Sequence, residues 1–144
     1  MFAKSKRVRK IRQFNRQYTN KLGIMNKNIF ETGLKWSEAR LLLEIYLNHF
    51  KTPKDLVNQL NLDKSYVSRT VNSLVKKQML NKVQSKSDLR AVNLALTEKG
   101  ISVSKRLNNE SNEQIISMLS NLSEQEQNSF YNSISNINSI LFKE

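Results

Sequence analysis

The sequence predicts a mainly α-helical chain with one β-hairpin set inside it. Three observations carry this reading. Apolar residues recur every three or four positions through most of the 144 residues and alternate with polar ones only between Met79 and Leu96. Only 3 Gly and 1 Pro are present, too few for the many tight turns of an all-β fold. Cap-type residues (Ser37, Thr52, Asp63, Thr97 and Ser123) stand just ahead of the helical stripes.

Val8, Ile11, Phe14, Tyr18, Leu22, Met25 and Ile29 form one apolar stripe, which predicts a long first helix over about 7–31. Lys6, Arg9, Lys10, Arg12, Arg16 and Lys27 occupy its other face. Gly33 can hold a left-handed turn where the stripe ends. Ser37 then caps a second, largely buried helix through about Leu47, with Glu38 near its positive end. In Thr52-Pro53-Lys54-Asp55 a capping threonine, a proline at the first helical position and a carboxylate reaching back start a short third helix to Leu60. Asn61-Leu62 is a turn, and Asp63 caps a fourth helix from Lys64 to about Lys77. Its inward residues are Val67, Val71, Leu74 and Val75. Ser65, Tyr66, Ser68, Arg69, Thr70, Asn72, Ser73 and Lys76 are left largely outside.

Leu80 and Val83, then Val92, Leu94 and Leu96, read as two antiparallel strands around a polar tip containing Lys86, Asp88 and Arg90. Thr97 caps a fifth helix with a stripe of Ile101, Leu107, Ile115 or Ile116, and Leu119. Leu122-Ser123-Glu124-Gln125-Glu126 is a capping box preceded by an apolar residue, and opens a sixth helix carrying Phe130, Ile134, Ile137, Ile140 and Leu141. The order H-H-H-H-E-E-H-H is that of a winged helix–turn–helix. Residues 34–100 form the expected DNA-binding lobe, and 1–33 with 101–144 the expected dimerisation helices. A modest apolar content of 38% fits a core completed in part by a partner subunit.

Charge divides the chain. Residues 1–36 carry a net +9, 37–100 a net +5 and 101–144 a net −2, for +12 in total. A basic front and middle joined to a mildly acidic tail suits a polyanion-binding part and an assembly part. Cysteine is absent, which excludes disulfides, thiolate zinc sites, iron–sulfur clusters and thiol switches. The single histidine, His49, leaves no material for a catalytic triad or a two-histidine metal motif. Glu110 with Glu113, and Glu124 with Glu126, lie in polar helical sequence and are solvated rather than catalytic. No catalytic residue, metal or cofactor is expected. Nothing approaches the roughly 20 apolar residues of a membrane span, and the basic start lacks the apolar stretch of a secretory signal. A cytoplasmic, nucleoid-associated bacterial protein is expected.

Leu34-Lys35-Trp36-Ser37-Glu38-Ala39-Arg40, Leu62-Asp63-Lys64-Ser65-Tyr66-Val67-Ser68-Arg69, Asp88-Leu89-Arg90 and Leu94-Ala95-Leu96-Thr97-Glu98-Lys99-Gly100 resemble the MarR (multiple antibiotic resistance regulator) family. The resemblance covers about residues 8–141. Ile11-Arg12-Gln13-Phe14-Asn15-Arg16-Gln17-Tyr18 with Leu22-Gly23 is similar to a subgroup fused to a C-terminal acetyltransferase, of which only the regulator half is expected here. One departure is Gln78, where the family usually has glycine.

The resemblance implies a homodimer on double-stranded DNA, with Arg90 in a minor groove and Asp88 orienting it by a salt bridge. It also implies an effector cleft, for which Phe14, Tyr18, Met25, Trp36 and Tyr46 are candidates, taking a small aromatic or amphipathic ligand. The residue types themselves suit Ser65, Tyr66, Ser68, Arg69, Thr70 and Lys76 to bases and phosphates. Thr52 and Lys54 suit phosphate at a helix start, and Lys86 suits the wing. Dimer candidates are Ile11, Phe14, Tyr18, Phe30, Leu122, Phe130, Ile134, Ile137, Ile140 and Leu141. The expected function is a sequence-specific regulator, most simply a repressor, on an inverted-repeat operator. An architectural, weakly specific DNA-binding protein is the alternative, and a protein- or RNA-docking module a third reading.

Overall fold

A computed structural model describes residues 5–23 and 31–143. Its elements are α1 (Lys6–Leu22), α2 (Trp36–Asn48), α3 (Pro53–Leu60), α4 (Lys64–Lys76), β1 (Leu80–Gln84), β2 (Val92–Leu96), α5 (Glu98–Leu119) and α6 (Glu124–Leu141). This is the expected order and fold class. The chain divides into two compact units, one through Glu110 and the other Ser111–Glu144.

α1 stops earlier than its apolar stripe. Gly23 adopts φ 65° and its N–H returns to Asn20 O at 3.1 Å, which closes the helix at Leu22. Met25, Lys27, Ile29 and Phe30, assigned to this helix from sequence, lie outside the described residues. Gly33 has φ 75°, as its place after the stripe suggested. α2 begins at Trp36 rather than after Ser37. The Glu38 carboxylate accepts the Lys35 N–H at 2.9 Å, so the cap stands two residues before the expected one.

The helix–turn–helix is built from local signals. Thr52 Oγ1 accepts from Asp55 N–H at 3.1 Å, Asp55 Oδ2 accepts from Thr52 N–H at 3.1 Å, and Pro53 fills the first helical position. Asn61 turns left-handed at φ 50°, which lets Leu62 N–H reach Val57 O at 3.1 Å. Asp63 Oδ2 then caps α4 through Tyr66 N–H at 3.0 Å.

α4 ends in a Schellman turn with Gln78 at its left-handed position, φ 62°. Met79 N–H bonds Leu74 O and Gln78 N–H bonds Val75 O, each at 2.9 Å. The side chain at this φ costs about 1 kcal/mol relative to glycine. The Gln78 carbonyl is tied to the start of α5, accepting from the Thr97 hydroxyl at 2.6 Å.

β1 and β2 pair antiparallel from Leu80↔Leu96 to Gln84↔Val92. Leu80 and Leu94 face the core, whereas Val83 is half-exposed. Positions 80 and 83 differ in parity, so a two-residue period cannot place both on one face.

The core joins Leu34, Leu41, Leu42, Leu56, Leu74, Leu80 and Leu107, all fully or almost fully buried. Each contributes about 2 kcal/mol of burial. Leu107, with Val103 packed beside it, carries this core past residue 100 into α5. On α5 the buried face is Gly100, Ser104 and Leu107, whereas Ile101 is exposed. The Ser104 hydroxyl is satisfied by Gly100 O at 2.7 Å. In the second unit, Phe130 and Ile134 are half-buried and Ile137, Ile140 and Leu141 exposed. No helix among the described residues is long and apolar enough to cross a membrane.

Candidate nucleic-acid interface

Burial on α4 divides the helix sharply. Val67, Thr70, Val71 and Leu74 turn inward. The opposite arc carries Ser65, Ser68, Arg69, Asn72 and Lys76, all exposed. Thr70, expected on the outer face, therefore lies on the inward side and not on the exposed arc. It is 6% exposed, and its hydroxyl donates to Tyr66 O at 2.8 Å. Its place three residues after Val67 and four before Leu74 fixes that orientation. Tyr66 is half-buried against the core and offers only part of its ring. Asn72 is a residue the sequence reading placed outside but did not select as a contact. It shares the exposed arc, and its amide oxygen accepts a hydrogen bond from Lys82 Nζ on β1.

Beside this arc, the start of α3, the start of α4 and the wing enclose an open cleft of about 660 Å³. Pro53, Val57, Val67, Val71 and Val92 give it an apolar floor. Thr52, Lys54, Ser68, Asp88 and Arg90, all expected at the interface, line it together. Lys64 and Lys82 join them and were not selected from sequence. Lys64 was legible as the first residue of the capped helix. Lys82 needed the strand register. β2 is also tied to the entrance of α3, since Leu94 N–H bonds Lys51 O at 2.7 Å. Ser65, Arg69, Lys76 and Lys86 are exposed outside the cleft.

The wing tip is held by its own polar groups. Asp88 Oδ1 accepts from Arg90 N–H at 3.0 Å, and Ala91 N–H bonds Asp88 O at 3.0 Å. Asp88 thus orients Arg90 through the main chain. The salt bridge that the family resemblance implied is not formed between them. Among the described residues the ion pairs are Lys77–Glu38 and Arg106–Glu110. Lys54, Lys64, Arg69, Lys86 and Arg90 are in neither pair, and in the cleft Lys54, Lys64, Lys82 and Arg90 outnumber the carboxylate of Asp88, so its potential is net positive.

The described ligand candidates stand on α1 and α2. Phe14 and Tyr18 stack on α1 with centroids 5.3 Å apart. Trp36 is 44% exposed at the start of α2, and Tyr46 is half-buried near its end. Of the dimer candidates, Ile11 and Phe14 on α1 are exposed, Tyr18 and Leu122 half-buried, and neither α1 nor α6 has a buried residue.

Residues 34–92 match the model of the MarR family. No curated protein sequence matches the chain. Among solved structures, wild-type MarR from Escherichia coli in its apo form is 17% identical over 88% of this chain and 93% of its own, with a TM-score of 0.72. A protein described as a MarR family transcriptional regulator from Listeria monocytogenes, solved with a 26-mer DNA, is 22% identical over 91% and 87%, with a TM-score of 0.71. MepR, described as a regulator of the Staphylococcus aureus multidrug efflux pump MepA, is 18% identical over 90% and 96%, with a TM-score of 0.74. The chain therefore has the MarR winged-helix fold, and its residues 34–92 carry the sequence pattern of the MarR family.

Proposed function

We propose that the protein is a MarR-type transcription regulator, a homodimer that binds an inverted-repeat operator in double-stranded DNA. The observation that carries this is the exposed arc of α4 lying beside a wing whose cations, Lys86 and Arg90, are in no ion pair. Ser65, Ser68, Arg69 and Asn72 supply donors and acceptors for base edges, while Lys54, Lys64, Lys76 and Lys86 address phosphates. Arg90 takes the minor groove, most favourably where A·T tracts narrow it. Two such lobes read half-sites about 34 Å apart. The Listeria relative solved with DNA supports this reading. Repression, relieved when a small amphipathic ligand favours the wrong lobe spacing, follows as the mode of control. Phe14, Tyr18, Trp36 and Tyr46 are its candidate contacts. The likeness of Ile11–Tyr18 to acetyltransferase-linked regulators supports the subgroup. The cytoplasm is the compartment in which such a regulator works.

The test is binding of purified protein to a duplex it selects from a random pool, against unselected DNA, over a range of salt. Selected DNA should bind about 1,000-fold more tightly. Arg69→Ala should lose about tenfold or more on selected DNA alone. Arg90→Ala should weaken binding and lower the salt slope by about one. Equal, salt-sensitive binding of both DNAs would replace this reading with the architectural one, which the exposed basic face of α1 would then serve.

Dimerisation is assigned to α1 and α6, whose exposed apolar residues include Ile11, Phe14, Ile137 and Ile140. Ile137→Asp should give a monomer mass by light scattering, because a carboxylate would enter an apolar seam. An unchanged dimer mass would put the seam elsewhere.

A further inference from the structure

Leu89 is the most exposed large apolar side chain among the described residues, at 75%, and stands at the wing tip between Asp88 and Arg90. Every other residue from Ser85 to Arg90 is polar. The tip is tied in place. Ser85 N–H bonds Ala91 O at 3.0 Å, and the Gln84 side-chain amide donates to Leu89 O at 2.8 Å. Ser85 Oγ accepts from Ser87 N–H and Asp88 N–H at 3.3 and 3.4 Å, and Asp88 Oδ1 accepts from Arg90 N–H at 3.0 Å. The small polar groups thus engage one another, and an apolar and a cationic side chain are left adjacent and free on an ordered turn.

We propose that Leu89 is a specificity-determining residue that enters the DNA minor groove beside Arg90. This rests on the DNA-binding reading above. The minor groove is about 6 Å wide. Its walls are deoxyribose C–H surfaces and its floor carries hydrogen-bond acceptors. The Arg90 guanidinium addresses the floor and the negative potential. The Leu89 isobutyl group addresses the walls and releases water from them. Contact with both walls requires a narrow groove, so Leu89 adds to the preference for A·T tracts a component that does not depend on charge. A phosphate-facing turn would gain nothing from leucine at this position.

The experiment compares wild type, Leu89→Ala, Leu89→Asn, Leu89→Met and Arg90→Ala on the duplex that wild type selects, and on the same duplex with G·C pairs under the wing. Because Leu89 makes no buried contact, all variants should keep the wild-type circular dichroism. Leu89→Ala and Leu89→Asn should bind about fivefold more weakly, with Leu89→Met near wild type. Their salt slope should match wild type, unlike that of Arg90→Ala. On the G·C duplex the gap between wild type and Leu89→Ala should close. Leu89→Ala within about twofold of wild type, with Arg90→Ala still impaired, would overturn the Leu89 assignment alone. Selection of no sequence, with Arg90→Ala binding like wild type, would overturn the DNA-reading function and Leu89 with it.

Discussion

Gly100→Ala should destabilise the winged-helix lobe by about 3 kcal/mol, although it adds one methyl group to a helix. A Cβ at position 100 would lie 2.1 Å from Met79 O and 3.0 Å from Met79 C. Both are main-chain atoms at the junction of α4 and β1, so neither can swing aside as a side chain would. Moving α5 away instead disturbs three hydrogen bonds at its start. Thr97 N–H bonds Met79 O at 3.1 Å, the Thr97 hydroxyl donates to Gln78 O at 2.6 Å, and Gly100 N–H bonds Thr97 Oγ1 at 2.9 Å. Displacement would also loosen Leu107, whose burial completes the core. The gain of alanine over glycine in helix propensity, about 1 kcal/mol, works against this loss and is too small to cancel it. With a urea slope of about 1.5 kcal/mol/M, the midpoint should fall by about 2 M at fixed protein concentration. A fall below about 0.5 M would show that the start of α5 slides without breaking its contacts.

Gly100 also marks where sequence reasoning ends. Thr52, Pro53 and Asp55, the Asp63 cap and the Thr97 cap were legible because each acts on backbone within three residues. The exposed positions Ser65, Ser68 and Arg69 followed from the same helical spacing. Gly100 is different, since its close neighbour Met79 approaches from another element. Thr70 failed for a related reason: a short hydroxyl residue suits either face of a helix, and only packing decides which. Apolar residues recur at helical spacing beyond Gly23 and predict a longer helix, whereas the left-handed turn at Gly23 ends α1 at Leu22. For the wing, sequence placed Arg90 correctly at the tip. The role of Asp88 was visible only once its carboxylate was seen on the Arg90 main chain.

Glu38→Ala should destabilise the lobe by a similar amount, about 3 kcal/mol, through a network no sequence pattern discloses. Glu38 is 2% exposed at the start of α2. Its carboxylate accepts from the Lys35 N–H at 2.9 Å, from the Ser73 hydroxyl at 2.6 Å and from Lys77 Nζ at 2.8 Å. Lys77 also reaches Gly33 O at 3.3 Å. The last turn of α4 is thereby fastened to the entrance of α2. Burial alone would raise the Glu38 pKa, but the bonds from Lys77, Ser73 and Lys35 outweigh it and hold the group below its ordinary 4.5. The folded state therefore prefers the carboxylate, and the stabilisation is fully present above pH 4.5. It is lost as pH falls through the lowered value. Glu38→Gln keeps the shape without the charge, so it separates this contribution from packing. Its stability gap from wild type should be constant above pH 4.5 and close below it. Trp36, the single tryptophan, lies two residues from Glu38 and gives the fluorescence signal for such melts. A gap that persists unchanged at acid pH would mean that Glu38 acts by shape alone. The charge would then have no part in holding α4 to the entrance of α2.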